Sequence, residues 1–544
     1  MLQNDTPQIN KLLNYRHLHF TALILLLLGG SAAAQVRFDA DFESGNIGRV
    51  TQLRSHRVRS GGTHVYYRIG PHFDPENPID TDLPANANWY YFRITGAARK
   101  YFHIAMPDNV VSGASYSYDG KEWFHMTAYE SDRHNINKRF TGDTVYIALY
   151  KPYNYSYLQK RLLDWTSRPC VTMDTIGFSH EGRPLQMLHI TDPGVPAEQK
   201  FRFWMHGRVH PSETPGSYLL DGLVDYLTGD TPEGVALRRQ IDAYIVPFSN
   251  PDGVVLGYSR SNALGVNEEI NFGRSDDSTV VEVRAIKQMF EKLTAERPLD
   301  FMLNCHSQLL ETATFWMHRS DSTSNAYLRR QWTFTGLVCS QNPCIRPRDM
   351  SFSYGGSRYP EGWIWDHFAD STLAITIETP YTWYSFDRTL PVDDDNLRAF
   401  GKRTLQAVAE YLGISLPGRY VVETPADPGE GWALYQADEK SFIGSDAWIA
   451  LSDSSAVEYS LDSIPAGRYN LYRFEAGNCI QPAEDRTDLR LVRGGYLNPG
   501  THGWVLIDTV SQENPGPFRY TWKAPTAGSL ADAILLEMEK SAIE

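Results

Sequence analysis

The chain has 544 residues, and a single hydrophobic core stops growing at roughly 250–300 residues, so two or three domains are required. Hydrophobic residues make up 42% and charged residues 21%, which excludes wholesale disorder. With 51 Lys+Arg against 65 Asp+Glu the formal net charge is −14. That balance excludes the broad basic surface that phosphate backbones need, so neither nucleic acid nor an anionic membrane is an expected partner.

At the start, Lys11 and Arg16 precede the apolar run Phe20–Leu28, which is followed by Gly29-Gly30 and Ser31-Ala-Ala-Ala34. The pattern predicts a signal peptide over residues 1–34, cleaved near Ala34, and hence an exported protein, periplasmic or secreted. The run is too short to span a bilayer and no later segment approaches that length, so stable membrane insertion is not expected. From 35 to 150, runs such as Trp89–Ile94 and Thr144–Tyr150 between turn residues predict an N-terminal β-sandwich domain. From 151 to 415 strands alternate with helices; three-to-four spacing predicts helices over Gly216–Leu227, Val280–Leu293 and Asn396–Leu412. This reads as an α/β catalytic domain with both faces of its sheet covered. From 416 to 544 the pattern is β-rich again, with helix-like periodicity only in the last residues, and predicts a C-terminal β-sandwich accessory domain. Its tryptophans Trp432, Trp448, Trp504 and Trp522 serve either as core or as a platform for glycan contact. Five cysteines are present, and Cys339-Ser-Gln-Asn-Pro-Cys344 has the spacing of a local disulfide in an oxidising compartment.

Chemistry concentrates in the middle region, where four apolar runs end in reactive side chains. Phe201–Met205 leads to His206-Gly-Arg-Val-His210-Pro-Ser-Glu213, and Ala243–Phe248 leads to Asn250-Pro-Asp-Gly253. Phe301–Asn304 leads to Cys305-His306-Ser307, and Leu373–Ile377 leads to Glu378. Ligands of open α/β sheets bind beyond the carboxyl ends of the strands, so these four ends can share one pocket. His210 and Glu213, three apart, can hold one cation, and His306 would complete two imidazoles and a carboxylate, the ligand set of a catalytic zinc with a position open for water. Glu378 would be the general base. No His-Glu-x-x-His, Gly-x-Ser-x-Gly or phosphate-cradling glycine motif is present.

Gly207-Arg-Val-His-Pro-Ser-Glu213, Asn250-Pro-Asp-Gly253, Arg260 five residues before Gly265, His306 and Glu378 together resemble the zinc metallocarboxypeptidases of the carboxypeptidase A type. The branch most similar is the cytosolic carboxypeptidases, whose N-terminal β-sandwich is resembled by Phe42-Glu-Ser-Gly-Asn46 and Lys151-Pro-Tyr-Asn-Tyr-Ser156. The resemblance covers about residues 36–415. It implies a carboxypeptidase-like mixed sheet covered by helices, one Zn2+ per chain on His210, Glu213 and His306, and Glu378 as base. It also implies a peptide substrate, Arg260 on the oxyanion, and a pocket tyrosine, for which Tyr359 is favoured over Tyr354.

The match departs after Gly265. The family reads Gly-x-Asp-x-Asn-Arg, where the Asn-Arg pair grips the substrate's terminal carboxylate and the Asp orients a zinc-binding histidine; this chain reads Gly265-Val-Asn267-Glu268-Glu269-Ile270. Asn267 can still accept from an imidazole, whereas Glu269 in the substrate-binding position would repel a carboxylate. Three readings follow. The enzyme hydrolyses amides away from ordinary free C-termini, as on modified or cell-wall peptides, with Glu268 or Glu269 meeting a cationic or neutral group. Alternatively Arg274 or Arg358 restores the clamp, or the scaffold is a dead peptide- or glycan-binding relic.

Overall fold

A computed structural model describes residues 35–539 except 58–61, 320, 343, 346–350, 355, 357, 385–387, 436–442, 444–446, 476–502 and 528. The proposed signal segment, residues 1–34, lies outside the described residues, and among the described ones no helix is long and apolar enough to cross a membrane.

The N-terminal part is rich in sheet. Arg37–Asp39, Tyr91–Thr95, Val145–Ala148, Ser115–Ser117 and Phe124–His125 form one sheet, and Val50–Arg57, Thr63–Ile69, Lys100–Ala105 and Asn135–Arg139 a second. Inward residues alternate along the strands: Val65, Tyr67 and Ile69 on one, Phe102 and Ile104 on another, each buried while its neighbours face out.

The middle part is built on an eight-stranded mixed sheet. Its strands are β1 (Val171–Phe178), β2 (Pro184–Ile190), β3 (Phe201–Gly207), β4 (Ile241–Val246), β5 (Phe301–Gln308), β6 (Thr314–Met317), β7 (Ser351–Tyr354) and β8 (Leu373–Pro380). They lie in the order β1-β2-β4-β3-β5-β8-β6-β7. β4, β3, β5 and β8 are mutually parallel neighbours and are almost wholly buried, as a sheet covered on both faces requires. Their shared direction brings the ends of β3, β5 and β8 to one edge, and the register sets His306 beside Glu378.

The expected helices form, as α1 (Thr214–Thr228), α2 (Val281–Thr294) and, further on, α4 (Asp394–Tyr411); α3 (Pro360–Phe368) lies between them. α1 packs closely on α4 through glycine. A Cβ on Gly401 would fall 1.9 Å from Leu219 O, and one on Gly222 would fall 2.1 Å from Arg398 O. Only the hydrogen side chain permits that approach.

Among the described residues the C-terminal part holds three small sheets, of four, three and two strands. Its last apolar run, Ala533–Met538, is a strand between Arg419–Glu423 and Gly467–Glu475, not the helix its periodicity suggested. Pairing on both sides and burial of Ala533–Leu536 override local preference. The glycan platform finds no support, because Trp432, Trp504 and Trp522 are buried and Trp504 donates to Glu410 of α4 at 2.8 Å. The expected Cys339–Cys344 bridge does not form: Cys344 keeps its thiol, which donates to Asn396 O at 3.4 Å.

Candidate active site

β3 ends at Gly207, and the chain then turns through Arg208, which has φ +54°. The buried Arg208 guanidinium fixes this turn by donating to Pro211 O, Tyr153 O and Ser217 Oγ at 2.6–3.1 Å. Asn250 supports it from the next strand end, donating to Val209 O at 3.2 Å and capping its own helix at Gly253 N. Asp252 binds Ser179, Glu181 and Arg183. The Asn-Pro-Asp-Gly segment is thus a brace for the His210 loop.

Glu213 stands at the N-cap of α1 but makes no capping bond. Its carboxylate turns instead to the histidines: Oε1 is 2.8 Å from His210 Nδ1, and Oε2 is 2.8 Å from His306 Nδ1 and accepts from Ser307 N at 2.9 Å. The two Nδ1 atoms are 3.1 Å apart, and one ligand atom from each of the three buried residues lies within 4.8 Å of the others. Burial and the nearby Arg260 lower the His210 pKa, favouring the neutral form in which imidazole binds metal. Burial pushes Glu213 up, but His210 and His306 outweigh it and hold the carboxylate well below its usual range. Two imidazole nitrogens and an ionised carboxylate converging on one point fit a divalent zinc.

The outer nitrogens are also engaged. His210 Nε2 lies 3.1 Å from Asn267 Oδ1, and His306 Nε2 lies 3.2 Å from Glu269 Oε2. Such contacts fix the ring and its tautomer. Glu269 therefore lines the pocket, as expected of a substrate-binding residue, and also orients a histidine, a duty the sequence did not reveal.

The metal cluster opens on a cavity of about 340 Å³ that Arg260, Glu269, Tyr359 and Glu378 also line. Glu378 accepts from Trp316 Nε1 at 2.7 Å; burial and the Glu213 carboxylate push its pKa up to about 7. Arg260 Nη1 is 3.9 Å from Glu213 Oε1 and its side chain is 37% exposed. Its loop is held from the N-terminal part: Asp74 accepts from the backbone N–H of Ser259, Arg260 and Ser261 at 2.7, 2.7 and 3.0 Å and from Ser261 Oγ at 3.1 Å. Tyr359 precedes α3, with its ring 5.9 Å from that of Trp316; the Tyr354 side chain lies outside the described residues.

The structure does not bring Arg274 to the cavity. Its guanidinium pairs with Asp80 at 2.8 Å, because its loop packs on the N-terminal part. Arg358 is exposed and lies over the Tyr359 ring at 5.4 Å. Glu268 is buried away from the cavity lining, and both its carboxylate oxygens are without a hydrogen-bond partner. Sequence reasoning missed Asp74, Trp316, Asn304 and Glu361. None sits in a motif; Asp74 and Trp316 come from separate segments, while Asn304 lies two residues before His306 on β5 and Glu361 two after Tyr359.

A family model described as zinc carboxypeptidase matches residues 163–341, and one described as cytosolic carboxypeptidase N-terminal domain matches residues 38–150. The first spans His210 to His306 and ends before Tyr359 and Glu378. Human cytosolic carboxypeptidase 6 is 26% identical over 414 residues, covering 70% of this chain and 79% of that protein. Cytosolic carboxypeptidase 2 of Danio rerio is 29% identical over 231 residues, 41% of this chain and 31% of that protein. Among solved structures, a metallo-carboxypeptidase from Burkholderia cenocepacia has a TM-score of 0.56 at 21% identity, over 69% of this chain and 98% of that one. One from Pseudomonas aeruginosa has a TM-score of 0.57 at 18% identity, over 69% and 98%. The fold is therefore carboxypeptidase-like. The expectation of export is corrected: the relatives and the N-terminal family model are named for cytosolic carboxypeptidases, not for secreted ones.

Proposed function

For this chain, a zinc metallopeptidase of the carboxypeptidase type, we propose that one Zn2+ is held by His210, Glu213 and His306 and that a terminal residue is removed from a peptide by attack of water on its amide. The observation that carries the reading is the convergence of those three buried side chains at a cavity that His210, His306 and Glu378 line. When bound, zinc supplies Lewis-acid chemistry, polarising a carbonyl and acidifying water. The chain's residues do the rest. Glu378 takes the proton of the attacking water and returns it to the leaving amine, with its carboxylate aimed by the Trp316 N–H. Arg260 donates to the oxygen on which negative charge develops. Asn267 and Glu269 keep the two imidazoles oriented, and Tyr359 closes one wall. Residues 35–150, 151–415 and 416–544 act as a positioning domain, a catalytic domain and a buttress.

A second reading, hydrolysis that does not need a free terminal carboxylate, is favoured by one observation. Arg274, which the sequence offered as a replacement clamp beside Glu269 and Ile270, is committed to Asp80. One experiment separates the two. Zinc-loaded protein is incubated with matched peptides ending in free acid or amide, and products are read by mass spectrometry with Glu378→Gln as the blank. Loss of single residues from the acid set supports the first reading, and cleavage of the amide set the second. Products no more abundant than the blank's would refute both.

A further inference from the structure

The cavity carries an acidic end that the hydrolytic chemistry does not use. Glu361 stands in the first turn of α3 and is 2% exposed; Glu269, from the short turn Glu268–Ile270, is 4% exposed. One amide links them: Asn304 Nδ2 donates to Glu269 Oε1 at 2.9 Å and to Glu361 Oε1 at 3.3 Å. Among the described residues Glu361 has no lysine, arginine or histidine within ion-pair distance, and Glu269 has only His306. The guanidinium that does line the cavity, Arg260, leans toward Glu213. Two further acceptors in the same region, Asn304 Oδ1 and Thr376 Oγ1, are buried with no hydrogen-bond partner. This end is therefore rich in acceptors and short of donors and of positive charge.

We propose that this end of the cavity is a cation subsite, in which Glu269 and Glu361 receive an ammonium or guanidinium on the substrate residue being released. The inference rests on the hydrolytic reading above and names its substrate class. Buried like charges so close together are costly without a counter-ion, and burial together with Glu269 pushes Glu361 up to about 8. An ammonium brings three N–H donors and a guanidinium five, together with the missing charge, to a region where two buried acceptors have no partner. A carboxylate on the side chain of the released residue would meet acceptors and no donor there, and be rejected. The expected order is basic, then neutral, then acidic.

The test has two arms on the zinc-loaded full chain. In the first, peptides that differ only in a terminal lysine, arginine, norleucine or glutamate compete for cleavage. In the second, calorimetry measures binding of the free amino acids to wild type, Glu361→Gln and Glu361→Lys, with zinc content confirming an intact site. Lysine and arginine should exceed norleucine by at least about tenfold, with glutamate weakest. Glu361→Gln should shrink that preference, and Glu361→Lys should invert it toward glutamate. The wild-type ranking needs no variant to fold. Equal binding of lysine and norleucine, or a preference that survives Glu361→Gln, overturns the subsite. Cleavage without cation preference sinks the subsite and leaves the peptidase reading standing, whereas cation-selective binding without cleavage of any peptide does the reverse.

Discussion

Asp74 lies far from the zinc cluster in sequence, yet its carboxylate receives three backbone N–H groups and a hydroxyl from the loop that carries Arg260. Asp74→Asn keeps the volume and halves the acceptors. The amide must turn its oxygen toward either Ser259 N or the three donors on Arg260 and Ser261, so an NH2 faces at least one buried N–H. Losing one charge-assisted bond and leaving that donor unpaired costs about 1.5–3 kcal/mol of stability. The catalytic effect follows from Arg260. Removing a donor to a developing oxyanion costs roughly 10²–10³ in kcat, so a loop released at its backbone should cost a part of that, about tenfold or more, with little change in KM. The assay is kcat and KM on a cleaved peptide for wild type, Asp74→Asn, Arg260→Ala and the double variant. If Asp74 acts through Arg260, its effect on kcat disappears in the Arg260→Ala background while the loss of thermal stability remains. An equal factor in both backgrounds, or an unchanged kcat in Asp74→Asn, refutes the reasoning.

Three other outcomes are expected. Glu410 is buried between Arg403 and Arg419 and accepts from Trp504 Nε1; burial opposes its ionisation, but the arginines hold its pKa down to about 2 against an ordinary 4.5. A depressed carboxylate stabilises the fold above its unfolded pKa and loses that contribution as pH falls through the folded one. Wild type should therefore lose about 3 kcal/mol between pH 4.5 and 2 that Glu410→Gln lacks at every pH; parallel melting curves for the two across that window would contradict it. Trp316→Phe removes the 2.7 Å bond to Glu378 and should lower kcat about tenfold at unchanged KM, as loss of a bond to a charged acceptor predicts; a change confined to KM would assign Trp316 to substrate packing. A chelator should abolish activity and lower the melting temperature, and added zinc should restore both, whereas His210→Ala should show neither bound zinc nor rescue.

What the sequence disclosed and what it concealed divide along physical lines. Helices α1, α2 and α4 and the ends of β3, β5 and β8 were legible because periodicity and strand-end chemistry are local. The clustering of His210, Glu213 and His306 was legible because His210 and Glu213 share one turn and parallel strands must end together. Asp74, Trp316 and Glu361 were not, because each is an ordinary residue until the chain brings a remote segment to the site. Arg274 misled for the same reason: its charge suggested a clamp, but its neighbour in space is Asp80. Ala533–Met538 misled because a short apolar run fits helix and strand alike, and only its two flanking strands decide. The apolar run at 20–28 fits the length and flanks of a signal peptide, but relatives named for cytosolic enzymes overturn that reading.

Glu269 joins the two halves of the cavity. One of its oxygens meets the outer nitrogen of His306, and the other is tied through Asn304 to Glu361. A single carboxylate thus touches His306 and is tied to the acid at 361. Writing the family's pair back, as Glu269→Asn with Ile270→Arg, would for that reason do more than rebuild a clamp. The asparagine would give His306 only a neutral acceptor, a weaker hold on the ring. On the subsite proposal, the acids at 269 and 361 are therefore one electrostatic arrangement, joined through Asn304.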